Sequence, residues 1–571
     1  MALNGTELLE YACMKFQEEK YDEALDAFVL AYSKGSEQEW ILENIYNCYV
    51  EGNEAEFRKT YEQFQEKTGI AYEDCLLEFI PYNDGEYYVF DTEQKLFLRK
   101  ISVRDLEDVE RQEIFQKAEF SGAVVLMDWN WGKKKDVLAE AKERNIYVIC
   151  QDLRRCSSYY KIPELAAYFQ HVRLFSSPEQ FQVYFHTHTA EYLPKIVLGD
   201  EINAQYVTNI INEEHLYRLT PEGRNTENVL LTIAIPTYGR GNLLLKRIEN
   251  LLQMTYDAEV EIVISKNGTT YYEEEYAVVS KIADARINYF DHGKVLKYYE
   301  NWRYAVEMSK GEFVLLVSDE DNVRLENLEH YFKLLSDNPR ISLMRARTDK
   351  QYGSLTERVY CEKGKEAFKQ AFLRQNYLSG LIVKKKIFSE ENFFELDRFA
   401  ENIFYNFYAH EWWCTALCMK GDYLEEPVSL ISEGDSKLEE EVQRDNRDGV
   451  IIEATEKTKE TIFPEYSTYK ARLAQFDGQI AFLNWFCGSN EELKMAGLNK
   501  AVNKLAYLFL LARSYHYDSE HFVDWVDEFA RSCMKVIDEL VYEDLKPILL
   551  QDVYKNCMDL LNYHYNLLGA E

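Results

Sequence analysis

Glycine and proline are scarce, with 24 Gly and 10 Pro in 571 residues. That excludes collagen-like, proline-rich and low-complexity chains. Positive charge is also short: 65 Lys plus Arg stand against 99 Asp plus Glu, a net charge of −34. A surface of that sign repels phosphate backbones and anionic lipid, so nucleic acid is not an expected partner. No apolar run approaches the ~18 residues that span a bilayer. The longest candidates, Gly122–Met127 and Leu505–Ala512, are core-sized. The first residues, from Met1 to Phe28, lack a basic segment followed by an apolar one. They read as a charged helix rather than a secretory signal. The 11 cysteines include no C-x-x-C pair. Cys414 and Cys418 lie one helical turn apart and suit buried thiols better than a metal site. An odd cysteine count without a secretory signal predicts a cytoplasmic location.

What is present supports several packed cores. The hydrophobic fraction is 46% and the aromatic fraction 14%. The length predicts about three or four domains. Residues 1–80 read as helical. Leu8, Leu9, Ala12 and Phe16 share one face, and Ala24, Leu25, Phe28 and Tyr32 repeat it. The stretch Tyr21–Phe28 resembles one helix of a tetratricopeptide repeat, with Glu37–Glu51 as its neighbour. A plain helical hairpin fits the same pattern, because no fixed period recurs. Residues 81–205 predict a small α/β domain. Its strands would be Tyr87–Phe90, Leu96–Arg99, Ala123–Met127, Ile146–Cys150 and Val172–Phe175, with a helix over Lys134–Arg144. Residues 201–227 read as a connector. Residues 436–571 predict a C-terminal helical domain, through Ile480–Phe486, Leu505–Ala512 and Phe522–Phe529. The charged run at its head, Asp435–Asp448, predicts a solvated loop.

The stretch between, 228–435, is the most informative. Val229–Ile235 is a continuous apolar run suited to a strand buried on both faces. A helix follows, carrying Leu243, Leu244, Ile248 and Leu251. Strands Val260–Ile264, Ile287–Phe290 and Glu312–Val317 alternate with helices over Tyr272–Ala283 and Tyr299–Met308. This βαβαβαβ order predicts a doubly wound parallel sheet, with its ligand outside the carboxyl ends of the strands. Those ends are polar: Thr237–Arg240, Ser265–Gly268, Asp291–Lys294 and Ser318–Asp321. Asp319, Glu320 and Asp321 are adjacent carboxylates, and crowding them costs free energy unless a cation sits there. A hard divalent cation accepts such oxygens and adds phosphate oxygens. The competing reading is an acidic turn capping the next helix.

Together these pieces resemble the nucleotide-sugar domain of a family-2 glycosyltransferase of the GT-A fold. The matching segments are Ile235-Pro-Thr-Tyr-Gly-Arg240, Val263–Thr269, Asn301 with Ala305, and Ser309-Lys-Gly-Glu-Phe-Val-Leu-Leu-Val-Ser-Asp-Glu-Asp321. The last resembles the family's D-x-D segment. The resemblance implies an α/β GT-A sheet, flanked here by helical domains and the small N-terminal α/β layer. It implies a nucleotide-sugar site of Pro236, Thr237, Tyr238, Arg240, Asn267, Lys294, Asp319 and Glu320. It implies Mn²⁺ or Mg²⁺ held by Asp319 and Asp321. The second strand of the family usually ends in Asp. Lys266 and Asn267 stand here, which leaves the base open, with UDP the first expectation. Tyr377–Val383 resembles the acceptor-side segment, and Glu425–Ile431 the closing strand, with Ser432–Asp435 after it. His410-Glu411 occupies the family's Glu-Asp position. The resemblance therefore implies Glu411 as the base that takes the acceptor's proton, with His410 beside it. Trp412 and Trp413 would stack on a sugar or pack in a core.

The expected activity is a metal-dependent, inverting transfer from a UDP-sugar to a hydroxyl of a protein or a surface glycan. Repeat-like helices that present grooves favour a protein acceptor, and the end domains would support a homodimer. The alternative is an inactive GT-A scaffold with helical interaction domains. A membrane polysaccharide synthase is disfavoured, because no basic amphipathic helix would dock on lipid.

Overall fold

The computed structural model describes residues 4–106, 123–129, 131, 135–142, 144–224, 229–255, 260–268, 271–391, 393–434, 449–452, 461–539 and 546–570. Lys134, the connector's end at 225–227, Thr269, Thr270 and the charged run 435–448 lie outside them. The chain divides into two compact units, Met1–Gly223 and Arg224–Glu571.

The first unit begins with a helical hairpin, α1 (Gly5–Gln17) and α2 (Tyr21–Ser33). Asn4 and Glu7 form a reciprocal cap at the start of α1. The expected helix over 37–51 is shorter. It runs as α3 (Gln38–Ile45) and widens into a π turn over Tyr46–Val50.

Strands β1 (Leu77–Pro81), β2 (Glu86–Asp91) and β3 (Leu96–Ser102) form an antiparallel meander of their own. This corrects the single α/β layer expected from the sequence. The connections Tyr82–Gly85 and Thr92–Lys95 close hairpins, whereas a parallel neighbour needs a crossover of about a dozen residues. The parallel layer consists of β4 (Val124–Met127), β5 (Ile146–Ile149), β6 (Val172–Phe175) and β7 (Ile196–Leu198), in the order β6-β5-β4-β7.

Helices α4 (Pro178–Thr187) and α5 (Glu201–Leu219) bury Phe181, Phe185, Val207 and Ile210 against one face of that layer. The expected connector is thus largely the helix α5. Its inward face includes the buried Glu214 and Arg218, which masked the apolar period. Arg218 donates to the carbonyls of Glu191, Phe185 and His188, which lets a charge lie inside.

The second unit is built on a nine-stranded mixed sheet. Strands β8 (Leu231–Thr237), β9 (Val260–Lys266), β10 (Ile287–Asp291) and β11 (Phe313–Leu316) are parallel, in the order β10-β9-β8-β11. The alternating order read from the sequence holds over these four. Beyond them come β12 (Asn322–Val323), β13 (Ile341–Thr348), β14 (Val359–Cys361), β15 (Leu381–Lys384) and β16 (Asp422–Ser432). Strand β15 runs antiparallel to both β11 and β13, so the sheet is not parallel throughout.

Helices α6 (Gly241–Leu251), α7 (Glu273–Val279) and α8 (Tyr298–Met308) connect the parallel strands. Helix α9 (Leu328–Asp337) leads into β13. Helix α10 (Ile403–Cys418) leads into β16.

The C-terminal helices α11 (Tyr469–Cys487), α12 (Glu491–Ser514), α13 (Phe522–Asp538) and α14 (Lys546–Ala570) share one continuous core with this sheet. Trp412 and Trp413 are completely buried at its centre. Trp413 lies 4.3 Å from Trp302 and Trp412 lies 4.5 Å from Phe482, between ring centroids. Both rings therefore serve the core and not a sugar face. Among the described residues, no helix is long and apolar enough to cross a membrane.

Candidate active site

The carboxyl ends of β8, β9 and β11 open on a pocket of about 710 Å³. That size suits a cofactor or sugar-nucleotide ligand. Pro236, Thr237, Tyr238, Arg240, Asn267, Asp319 and Glu320 all line it. Tyr298, Asn301, Asn376, Tyr377, Ser379 and Tyr466 are also among its lining residues.

The end of β8 turns sharply at Gly239, whose φ of +66° lies in the left-handed region that glycine enters at no steric cost. The turn brings Arg240 back over the end of β11. Arg240 Nη1 lies 3.2 Å from Asp319 Oδ1 and also bonds Glu320 Oε2. Thr237 Oγ1 donates to Asp319 Oδ2 at 2.6 Å. With its proton so used, Thr237 accepts from the Tyr276 hydroxyl at 2.7 Å, and that hydroxyl accepts from the Arg240 N–H at 3.1 Å. Burial pushes the Asp319 carboxyl up, against the opposing pull of Arg240. Tyr276, on α7, is a support that sequence reading missed. Only its place on the inner face of that helix signalled it.

Asp321 is held differently. Its Oδ2 accepts from the Tyr377 hydroxyl and from Ser379 Oγ, and its Oδ1 from the Gly434 N–H at 2.9 Å. The carboxylate pins the ends of β11, β15 and β16 together, and it is not among the pocket-lining side chains. Gly434 is required where it stands: a Cβ there would lie 1.9 Å from the Glu320 carbonyl oxygen.

At the end of β9, Lys266 reaches Asp291 at 2.7 Å. Asn267 spends its amide on the next loop. Its Oδ1 accepts from the Leu296 N–H at 2.6 Å and its Nδ2 donates to the Leu296 carbonyl at 2.9 Å. Lys294 offers its carbonyl to the Gly268 N–H at 2.9 Å, and its side chain is exposed outside the pocket lining.

Glu411 and His410 lie in α10, just after a break in helical geometry at Tyr408. Each is only 2% exposed, and neither lines the pocket. Glu411 Oε1 accepts from the Gln375 N–H at 2.9 Å, while its Oε2 has no hydrogen-bond partner among the described residues. Burial pushes the Glu411 carboxyl up to about 7 and the His410 ring down to about 3, so His410 is neutral at ordinary pH. The segment 375–379 joins Glu411 to the pocket wall. Arg345, fully buried, shapes this segment by donating to Gln375 Oε1 at 2.9 Å, the Ser379 carbonyl at 2.8 Å and the Tyr377 carbonyl at 2.6 Å. Sequence reading missed Arg345, which looks like any polar residue of a strand.

Among the described residues, no group of three or more His, Cys, Asp or Glu is arranged to hold a metal. Asp319 Oδ1 and Glu320 Oε2 nonetheless converge on one cationic atom, Arg240 Nη1. Two hard oxygens sharing a cation position fit Mg²⁺ or Mn²⁺, which take one or two carboxylates and fill the rest with phosphate oxygens and water. Asp321 accepts three protein hydrogen bonds, as Asp319 does from Thr237, Arg240 and the Tyr238 N–H.

Residues 232–393 match the family model described as "Glycosyl transferase family 2". No curated protein matches the chain. Among solved structures, TarS residues 1–349 of S. aureus in complex with UDP-GlcNAc is 11% identical; the match covers 60% of this chain and 93% of that one, at a TM-score of 0.39. The mannosyltransferase PcManGT of Pyrobaculum calidifontis in complex with GDP-Man and Mn²⁺ is also 11% identical, over 58% and 86% of the chains, at a TM-score of 0.32. Likeness of this degree carries no argument about donor or acceptor.

Proposed function

We propose that the central domain, whose residues 232–393 match the family-2 model, is a glycosyltransferase that uses a nucleotide-sugar and performs a metal-dependent, inverting transfer to an acceptor hydroxyl. The observation that carries this reading is the convergence of Thr237, Arg240, Asp319 and Glu320 on one pocket at the strand ends. UDP is the first donor base to test, as the sequence resemblance implies.

Asp319 and Glu320 would hold Mn²⁺ or Mg²⁺, and a bound divalent cation supplies neutralisation of the charge developing on the leaving diphosphate. Thr237 keeps the Asp319 carboxylate oriented, and Tyr276 orients Thr237 in turn. Pro236, Tyr238 and Asn267 border the nucleoside, and Lys294 approaches from the rim. Asp321 fixes the acidic loop and, as the resemblance implies, would join Asp319 at the ion. Glu411 takes the acceptor's proton. Its raised pKa suits a group that must be ionised near neutrality and accept a proton in the transition state. The segment 375–379 covers it, so acceptor binding must open that wall. The acceptor is a protein or a surface glycan.

The test is nucleotide release from UDP-, GDP-, CMP- and dTDP-sugars, with and without Mn²⁺. The reading expects metal-stimulated release from one donor, lost in Asp319→Asn. Release that ignores both Mn²⁺ and Asp319 would overturn it. The burial of Glu411 favours a second reading, a nucleotide-binding protein without turnover. Metal-dependent nucleotide binding with no transfer to any acceptor would select it.

A further inference from the structure

Asp319 is 3% exposed, and a carboxylate taken out of water needs a counter-charge. Asp319 and Glu320 have one on the chain itself. The Arg240 guanidinium, 17% exposed, bonds both carboxylates through the same nitrogen. Its backbone is fixed on either side. Gly239 makes the left-handed turn before it, and its own N–H donates to the Tyr276 hydroxyl, whose residue is 1% exposed. The cation position between the carboxylates is thus filled by a tethered group that is always charged. A guanidinium and a divalent ion cannot both occupy that point. Like charges a few Å apart repel strongly, and each carboxylate oxygen has few lone-pair directions to share.

We propose that Arg240 is a resident counter-ion that competes with the divalent cation, so that the metal binds by displacing it. The proposal rests on the metal reading above and goes beyond it. That reading gives Arg240 no part in setting cation affinity. In the nucleotide-free protein, Arg240 keeps the acidic loop neutralised and ordered while holding cation affinity low. Once displaced, the guanidinium is free to meet the diphosphate that arrives with the donor.

The test is Mn²⁺ titration of the nucleotide-free full chain, read from the electron paramagnetic resonance signal of free Mn²⁺. Arg240→Gln keeps polarity and removes charge. It is expected to bind Mn²⁺ at least tenfold more tightly than the unaltered protein. Arg240→Lys keeps the charge on a shorter, more strongly hydrated side chain that reaches the shared position less well, and it should bind severalfold more tightly. Either variant decides alone if the other fails to fold, as judged by circular dichroism. Mn²⁺ affinity that is unchanged or weaker in the folded variants would overturn the proposal while leaving the metal reading intact. Absence of Mn²⁺ binding in every form would overturn the metal reading, and this inference with it.

Discussion

The two units each contain four parallel strands in the same order, third-second-first-fourth: β6-β5-β4-β7 in the first and β10-β9-β8-β11 in the second. Strand order alone puts a crevice beside the first strand in both, where the chain switches direction across the sheet. The residues delivered there differ. In the first unit, β7 is followed by Asp200, whose carboxylate caps α5 by accepting from the Asn203 N–H at 3.1 Å. β4 is followed by Trp129 and Trp131, both buried, with Trp131 stacked on Tyr159. In the second unit, the same two positions deliver Thr237–Arg240 and Asp319–Glu320 to an open pocket. Topology offers the place, and the side chains at the strand ends decide between a filled seam and a site.

The largest effect expected from breaking this contrast is on activity. Asp319→Asn should lower transfer by about 10²–10³-fold, the scale of losing one preorganised electrostatic group. Asp200→Ala, at the matching place in the first unit, should leave transfer unchanged and lower stability slightly through the lost helix cap. Steady-state kinetics and denaturant unfolding of the two variants read the difference.

Next comes the core. Trp412→Ala removes a ring from the middle of the second unit and should cost about 3–5 kcal/mol in chemical denaturation. A loss of sugar affinity at unchanged stability would instead restore the ring to the site.

Glu411 gives a pH-dependent effect of intermediate size. Its folded pKa, about 7, is raised above its ordinary value of 4.5. The stability it contributes is therefore complete below about pH 4.5 and is lost as pH rises through about 7. Glu411→Gln should gain on the unaltered protein over that window by about 2–3 kcal/mol. A flat difference from pH 5 to 8 would show that the carboxyl is not held neutral. Transfer by the unaltered protein should fall as pH drops below about 7, where the proposed base becomes protonated.

The smallest effect is at Gly434. Gly434→Ala forces the Glu320 carbonyl aside and should weaken donor binding about tenfold, read by calorimetry.

The legibility of the sequence divides along the same line. Strands β8, β9 and β11 are short apolar runs between polar loops, so their order and the loops at their ends could be read residue by residue. The meander β1–β3 could not be separated from the parallel layer by composition, since only its connection lengths distinguish them. Helix α5 was hidden because Glu214 and Arg218 occupy its inner face. Within the site, Thr237, Arg240, Asp319 and Glu320 were legible because they sit at strand ends. The anchoring of Asp321 was not, because Ser379 and Gly434 lie 58 and 113 residues away along the chain. The burial of Glu411 was foreshadowed only by its helix, where Phe404, Tyr405, Trp412, Trp413 and Leu417 face the core on every side.

The contrast between the two sheets is tested most directly by calorimetric binding of the nucleoside diphosphate selected by the donor panel, with Mn²⁺, to the full chain. Asp319→Asn combined with Glu320→Gln should abolish the binding, and Asp200→Asn should leave it as in the unaltered protein. Binding that survives the double substitution, or that is lost in Asp200→Asn, would contradict the account by moving the nucleotide away from the second sheet.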